Sequence, residues 1–311
     1  MAVAAGCGAA ADVIVLAPGG SGSAITTPTA PIAAAPAGTK IAAPTTTKPA
    51  IASTTTPPTT VTRVPAMPTG PKVVPVPVLA TPLTPARQGQ NSAAVKAIED
   101  RLLQLGFWLD AVDGKYTFVT SQAVMAFQKD QGLPRTGVAD QATVDRMAHA
   151  TQRVMSKAFT GDLIEVDKGR QLLFVVRSGQ AVWAVNTSTA SGQFYSATGK
   201  NSGTLYREHA TTPPGTYAVS RQRPNGWWEG DLGRIYRPKY FDGGRAIHGM
   251  TSIPGYPASH GCVRVSTPFM DFVWDKNLLP LGGTVWVHEG AGENPPLFPT
   301  LPAPNTPPPG T

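Results

Sequence analysis

Cysteine, charge and aromatic residues are all scarce in this chain. Of 311 residues, 14% are charged and 7% aromatic, and cysteine occurs twice, at Cys7 and Cys262. Two cysteines far apart exclude a disulfide framework. No run of 18 apolar residues occurs, which excludes a spanning helix read from sequence. There is no dense Lys/Arg stripe interleaved with aromatics, so the net charge of +7 does not point to nucleic acid. It favours acidic polymers or a membrane surface. Gly199-Lys200 is followed by Asn201 and lacks the upstream glycine of a phosphate-binding loop, so no nucleotide cofactor is implied.

Proline is abundant but unevenly placed: 15 of 32 lie in residues 18–86 and 8 in 290–311. That distribution excludes a single 311-residue globule. It predicts a folded centre of two modest domains, each with its own core, between disordered Pro/Thr/Ala-rich tails. Residues 1–86 read as a tail and semi-extended spacer and 290–311 as a second tail. Ala4-Ala5-Gly6-Cys7 resembles the end of a bacterial lipoprotein signal, in which the cysteine carries a lipid anchor to the membrane. The first basic residue is Lys40 and only six residues precede Cys7. Two readings stand side by side: a truncated signal, or an ordinary Ala-rich end.

Residues 87–150 turn helical. Val95, Ile98, Leu102 and Leu105 recur at spacings of three and four, and Gly106 stops the run. A second helix is expected from Thr120 as N-cap through Ala123, Val124 and Phe127 to Gly132. A third starts at Asp140 and carries Val144 and Met147. Residues 151–160 read as a connector. The small three-helix bundle resembles the peptidoglycan-binding module of cell-wall enzymes. The matching residues are Val95 to Leu105 with Gly106-Phe107, Asp113-Gly114-Lys115-Tyr116, Thr120, Ala123-Val124, Phe127-Gln128, Gly132-Leu133 and Thr136-Gly137-Val138. Thr117 stands where that family usually has glycine. The resemblance implies glycan or stem-peptide binding; a docking module without affinity is the other reading.

In residues 161–289 the period changes to two. Runs at Leu163 to Val166, Leu172 to Val176, Ala181 to Val185, Thr216 to Ser220 and 284–288 predict strands, and Thr267-Pro268 predicts a helix start. The class is mainly β with a helix or two. Its chemistry concentrates in AIHGMTSIPGYPASHGCVRV, where His248, His260 and Cys262 fall within 15 residues. A thiol is mostly protonated at neutral pH, so a nucleophilic cysteine needs a neighbouring imidazole. Acyl chemistry also needs oxyanion donors, which the backbone of His260-Gly261-Cys262 offers. The bland readings are a small buried hydrophobe at Cys262, or zinc held by both histidines and the cysteine. The latter lacks a fourth ligand, and no CxxC or HExxH is present. Tyr236, Tyr240 and Phe241 either line a pocket or pack. Trp227-Trp228 is a lid or core. His149, His209 and His288 read as surface or satisfied histidines.

Ser259-His260-Gly261-Cys262-Val263-Arg264-Val265 resembles the signature of the L,D-transpeptidases of YkuD type. Ile247-His248-Gly249 and Thr212-Pro213-Pro214-Gly215-Thr216-Tyr217 fit as well. The resemblance implies a YkuD-like β-sandwich with a helix over 161–289. It implies Cys262 as nucleophile, His248 as general base and Gly249 as donor of a carbonyl that orients the imidazole. Ser259, His260, Gly261, Arg264 and Tyr240 would supply oxyanion and substrate contacts. The loop from His248 to Ser259 is shorter than the family pattern, which bears on the substrate lip. The implied reaction joins peptidoglycan stem peptides 3→3 through a thioester, or hydrolyses them, in the cell envelope. Carbapenems would acylate the same sulfur, and no metal or cofactor is implied. A non-catalytic wall-binding protein and a cysteine peptidase acting on stem peptides are the alternatives.

Overall fold

The computed structural model describes residues 70–290 and 292–300. The expected spacer up to residue 69, Cys7 with its lipid-anchor reading, and residues 301–311 lie outside them. Sixteen elements follow in order among the described residues: α1 (Ala93–Leu105), α2 (Phe118–Asp130), α3 (Gln141–His149), β1 (Leu163–Asp167), β2 (Leu172–Arg177), β3 (Gln180–Asn186), β4 (Phe194–Thr198), β5 (Leu205–His209), β6 (Gly215–Ala218), β7 (Arg221–Gln222), β8 (Trp227–Gly230), β9 (Gly233–Asp242), β10 (Arg245–Met250), β11 (Val263–Ser266), α4 (Thr267–Asp275) and β12 (Thr284–His288). None of the described helices is long and apolar enough to cross a membrane.

The helices begin where polar side chains satisfy open N–H groups. Ser92 caps α1 through Val95 N, and Gly106 ends it with φ 94°. Asp140 caps α3 through Thr143 N. The expected cap of α2 at Thr120 is corrected to Thr117. The two threonines form a reciprocal capping box, with Thr120 at its third position. Likewise Ser266, one residue before Thr267, caps α4 through Phe269 N.

Ten strands form two larger sheets, in the orders β3-β2-β1-β12-β6 and β11-β10-β9-β7, with β8 paired to β9. The remaining two, β4 and β5, form a separate hairpin. Strands β1 and β12 run parallel, as do β10 and β11. Ile164, Val166, Val285 and Val287 of the first sheet share one buried cluster with Ile247, Val263 and Val265 of the second and with Phe269 and Met270 of α4.

That cluster corrects the expectation of two separate cores, because Val95, Ile98, Leu102, Val124 and Phe127 of the helices belong to it too. Each such side chain contributes roughly 1.5–3 kcal/mol by leaving water. The joint is specific. The Trp108 ring packs 5.1 Å from Phe269, and its backbone N–H donates to Ala184 O on β3 at 3.1 Å.

The tail boundaries at 86 and 290 are corrected as well. Val76, Leu83 and Ala86 are buried. Val76 N donates to Thr151 O at 2.8 Å, and the Pro77 carbonyl accepts from the buried Arg101 at 2.9 Å. At the other end Phe298 sits 5.6 Å from Trp286 and donates its N–H to Thr160 Oγ1. Proline removes donors but keeps carbonyls, so a Pro-rich segment orders wherever neighbouring donors and apolar grooves meet it.

Candidate active site

Strand β10 carries His248 and β11 follows Cys262. Their parallel register pairs Ile247 with Val263 and His248 with Arg264. Both register irregularities between β9 and β10 place the extra residue in β9, so alternation along β10 is kept. Ala246 and His248 therefore emerge on one face. On that face Cys262 packs in a small cluster with Ala246, Tyr240 and Ile235. The bulge at Arg237 (φ 46°) is held by Arg237 bonds to Asp271 at 2.6 Å and Pro224 O at 2.8 Å.

His248 is fully buried, and its Nδ1 lies 3.1 Å from Gly249 O. A carbonyl only accepts, so Nδ1 carries the proton and Nε2 the lone pair. Nε2 is buried with no hydrogen-bond partner. Gly249 cannot gain a side chain: a Cβ there would lie 2.9 Å from the Tyr236 ring and 3.1 Å from Thr267 Cα.

The turn before β11 is tied from within. Ser259 Oγ donates to Cys262 O at 2.6 Å and accepts from Gly261 N at 3.1 Å. Thr212 Oγ1 donates to Gly261 O at 2.9 Å and accepts from Ala190 N at 3.1 Å. The Gly261 N–H is thus engaged by Ser259. Ser259 itself lies beneath the site and shapes the turn. Arg264 is 2% exposed and donates from Nη2 to Ala258 O at 2.8 Å, which braces the loop.

Above the turn opens a cleft of about 480 Å³ lined by Cys262, Gly261, His260 and Tyr240. His248 is not on its wall. The His260 ring lies 4.4 Å from that of Tyr195. Burial, and then the Arg264 charge, push its pKa down against the influence of Cys262. Burial likewise pushes the Tyr240 hydroxyl up. Sequence reasoning missed Arg221, Arg223, Tyr206 and Asp231 on the same wall. The one available signal was the i, i+2 spacing of the two arginines, in a strand two residues long. The Trp227-Trp228 question resolves to exposure, at 38% and 39%, with Trp228 on the cleft.

The cleft rim includes the β4–β5 hairpin, pinned by Asp231. Its carboxylate accepts from Tyr206 Oη at 2.6 Å, Ser202 Oγ at 2.7 Å, and the N–H groups of Asn201 and Ser202. Those donors hold its pKa down to about 2. Beneath, the helices brace the loop that joins β10 to β11. Arg135 donates to Gly255 O at 3.1 Å, and Asn186 links Gln122 to Ile253 O.

Among the described residues, Glu165, Asp167 and His288 form a separate buried group of metal-ligand type. Its bonds are spent within the protein. Gly290 N donates to His288 Nδ1, leaving Nε2–H to donate to Glu165, whose oxygens also accept from Lys157 N and Ala158 N. His288 is the satisfied core histidine among the three set aside from the chemistry.

Comparison with known proteins gives this arrangement its class. A family model for the L,D-transpeptidase catalytic domain, YkuD, matches residues 161–292, and one for a peptidoglycan-binding domain matches 91–147. The solved structure of an L,D-transpeptidase from Xylanimonas cellulosilytica is 40% identical over 66% of this chain and 98% of its own, with a TM-score of 0.59. The chain belongs to the L,D-transpeptidase family. A transpeptidase from Stackebrandtia nassauensis is 24% identical over 68% and 99% of the two chains, with a TM-score of 0.38. The transpeptidase LdtMt1, solved in complex with imipenem, is 15% identical over 45% and 63%, with a TM-score of 0.31. No curated protein matches the sequence.

Proposed function

We propose that this transpeptidase transfers stem peptides through a thioester on Cys262, forming 3→3 cross-links in peptidoglycan. His248 Nε2 takes the thiol proton, and the thiolate attacks the carbonyl of diaminopimelate in a tetrapeptide stem. The amide bond to the terminal D-alanine breaks, and the imidazolium returns that proton to the leaving amine. The side-chain amine of a second diaminopimelate then attacks the thioester. Its proton passes to His248, and the sulfur leaves. Water in place of the amine gives carboxypeptidase activity. The observation that carries this reading is the His248 ring, whose Nδ1 is committed to Gly249 O while Nε2 keeps a buried lone pair with no partner, on the strand beside Cys262.

His260 and Tyr240 form walls of the acyl site. The helices at 91–147 hold the enzyme to glycan or stem peptide in the cell envelope, outside the cytoplasmic membrane. The family match at these residues supports that role.

Intact-mass analysis after exposure to a carbapenem tests the chemistry. The parent gains one drug mass and Cys262→Ala gains none. An unmodified parent, or an equal adduct on the variant, overturns the assignment of the sulfur.

A further inference from the structure

Two guanidinium groups on the wall of the Cys262 cleft have no anion. Arg221 and Arg223 both line it. The Arg221 guanidinium sits 3.9 Å above the ring of Tyr240, and that of Arg223 sits 3.6 Å above the ring of Trp228. Tyr240 itself packs against Cys262. Neither arginine pairs with a carboxylate among the described residues, although Glu208 lies on the same wall and two other acids nearby are engaged elsewhere. Asp231 is held by Tyr206, Ser202 and Asn201, and Glu229 pairs with Lys200 and Arg234. The third arginine on the wall, Arg245, is bound to Asp242 at 2.8 Å and to Thr211 O at 2.8 Å. Arg223 Nε is buried and makes no hydrogen bond. A buried, unsatisfied donor is rare in a folded protein and calls for a partner, and the same guanidinium hydrogen-bonds Tyr240 on the cleft wall.

The chemistry of such a partner follows from the donors. A guanidinium presents its N–H groups as a planar fork matching the two oxygens of a carboxylate, and a ring beneath it limits the freedom lost on binding. We propose that Arg221 and Arg223 form a carboxylate subsite that reads a free carboxylate within one residue of the scissile carbonyl. This assignment rests on the acyl-transfer reading above. Two carboxylates of the substrate meet the description: that of the terminal D-alanine, and that on the far centre of diaminopimelate. Both leave the same chemistry at the arginines.

The test measures binding to the Cys262→Ala protein by calorimetry, so it does not depend on turnover. Three stem tetrapeptides serve as probes: the unmodified one, one with a C-terminal carboxamide, and one amidated on the diaminopimelate side-chain terminus. Loss of the recognised carboxylate weakens binding about tenfold or more, as expected for a charge-assisted pair. Adding Arg221→Gln or Arg223→Gln weakens the unmodified probe comparably and abolishes discrimination against that one amidated probe. Whichever amide loses its penalty identifies the carboxylate read. Three results overturn the subsite: equal binding of all probes, discrimination that survives both arginine changes, or arginine effects that persist with both amides. A parallel carbapenem mass measurement on the Cys262 parent separates the failures. Without an adduct the acyl-transfer reading falls, while the binding series still judges the arginines.

Discussion

The floor and the rim of the cleft are built by opposite rules. On the floor, Ser259, Thr212 and the Gly261 peptide are buried and cross-bonded, and the lone pair of His248 is left open beside them. On the rim, β4, β5 and β8 are largely exposed, with Phe194 at 55% and Leu205 at 53%, and one carboxylate gathers the bonds. A floor of this kind positions reacting atoms within a narrow range. A rim held mainly by solvent-exposed side chains has little local stability against opening. Precision and access are thus assigned to different strands of the same domain.

The comparison breaks first if the floor is not catalytic. His248→Gln should lower the rate of thioester formation by about 10²–10⁴-fold, the range for loss of a general base, with little change in melting temperature. Stopped-flow acylation by a carbapenem reads the rate. A loss confined to KM would assign His248 to binding. Next in size, Gly249→Ala forces a methyl against the Tyr236 ring and Thr267, and should cost about 1–3 kcal/mol in chemical denaturation while slowing acylation. Full stability with normal acylation would show that β10 yields more than its packing indicates.

Two further predictions concern titrating groups. Burial pushes the Lys129 amine down to about 7, from 10.5 in the unfolded chain. Its Nζ donates to Gln171 O and Thr187 O, tying α2 to the β domain. Below pH 7 both states hold the proton. Between pH 7 and 10.5 only the unfolded chain does, so stability from this group rises with pH across that window and is lost as pH falls through 7. Urea melts of the parent and Lys129→Met at pH 7 and 9.5 should diverge in the parent's favour, by no more than about 1.4 kcal/mol per pH unit. A constant difference counts against the depressed amine. The smallest effect belongs to the rim. Asp231→Asn should leave global stability nearly unchanged and alter KM for stem peptide by a few-fold, measured by muropeptide turnover. Because the carboxylate stays ionised down to about pH 2, the parent's rim should show no change of its own between pH 4 and 8. Its folded pKa lies below the unfolded value of 3.8, so its contribution is present above 3.8 and lost as pH falls through about 2.

The same contrast explains what could be read from sequence. Helix α1 announced itself by its regular apolar spacing and the Gly106 stop, and α3 by Asp140, which does cap it. Strands β1 and β2, buried along nearly their whole length, were legible from Leu163, Ile164 and Val166 and from the apolar run Leu172 to Val176. Strands β5 and β8 went unseen, since Leu205-Tyr206-Arg207-Glu208-His209 and Trp227-Trp228-Glu229 have little buried face to impose a period of two. Residues 70–86 misled for another reason. Their order comes from Arg101 and the backbone of α3 and its flanks, partners no local pattern encodes. At the site, Cys262, His260 and Tyr240 were legible as types in a motif. The burial of Arg264 and the exposure of Arg221 to the cleft depend on the third dimension alone.

The joint between helices and sheets has a consequence for anyone handling this enzyme in pieces. Trp108 and Phe107 plug the edge of β3 and the side of α4, so scission within 151–160 would not release two soluble halves. Each fragment would carry a raw apolar wound the size of an aromatic pair, and the loop ahead of Cys262 would lose the arginine that props it. Expression of the catalytic half by itself should therefore yield aggregate or a sluggish catalyst.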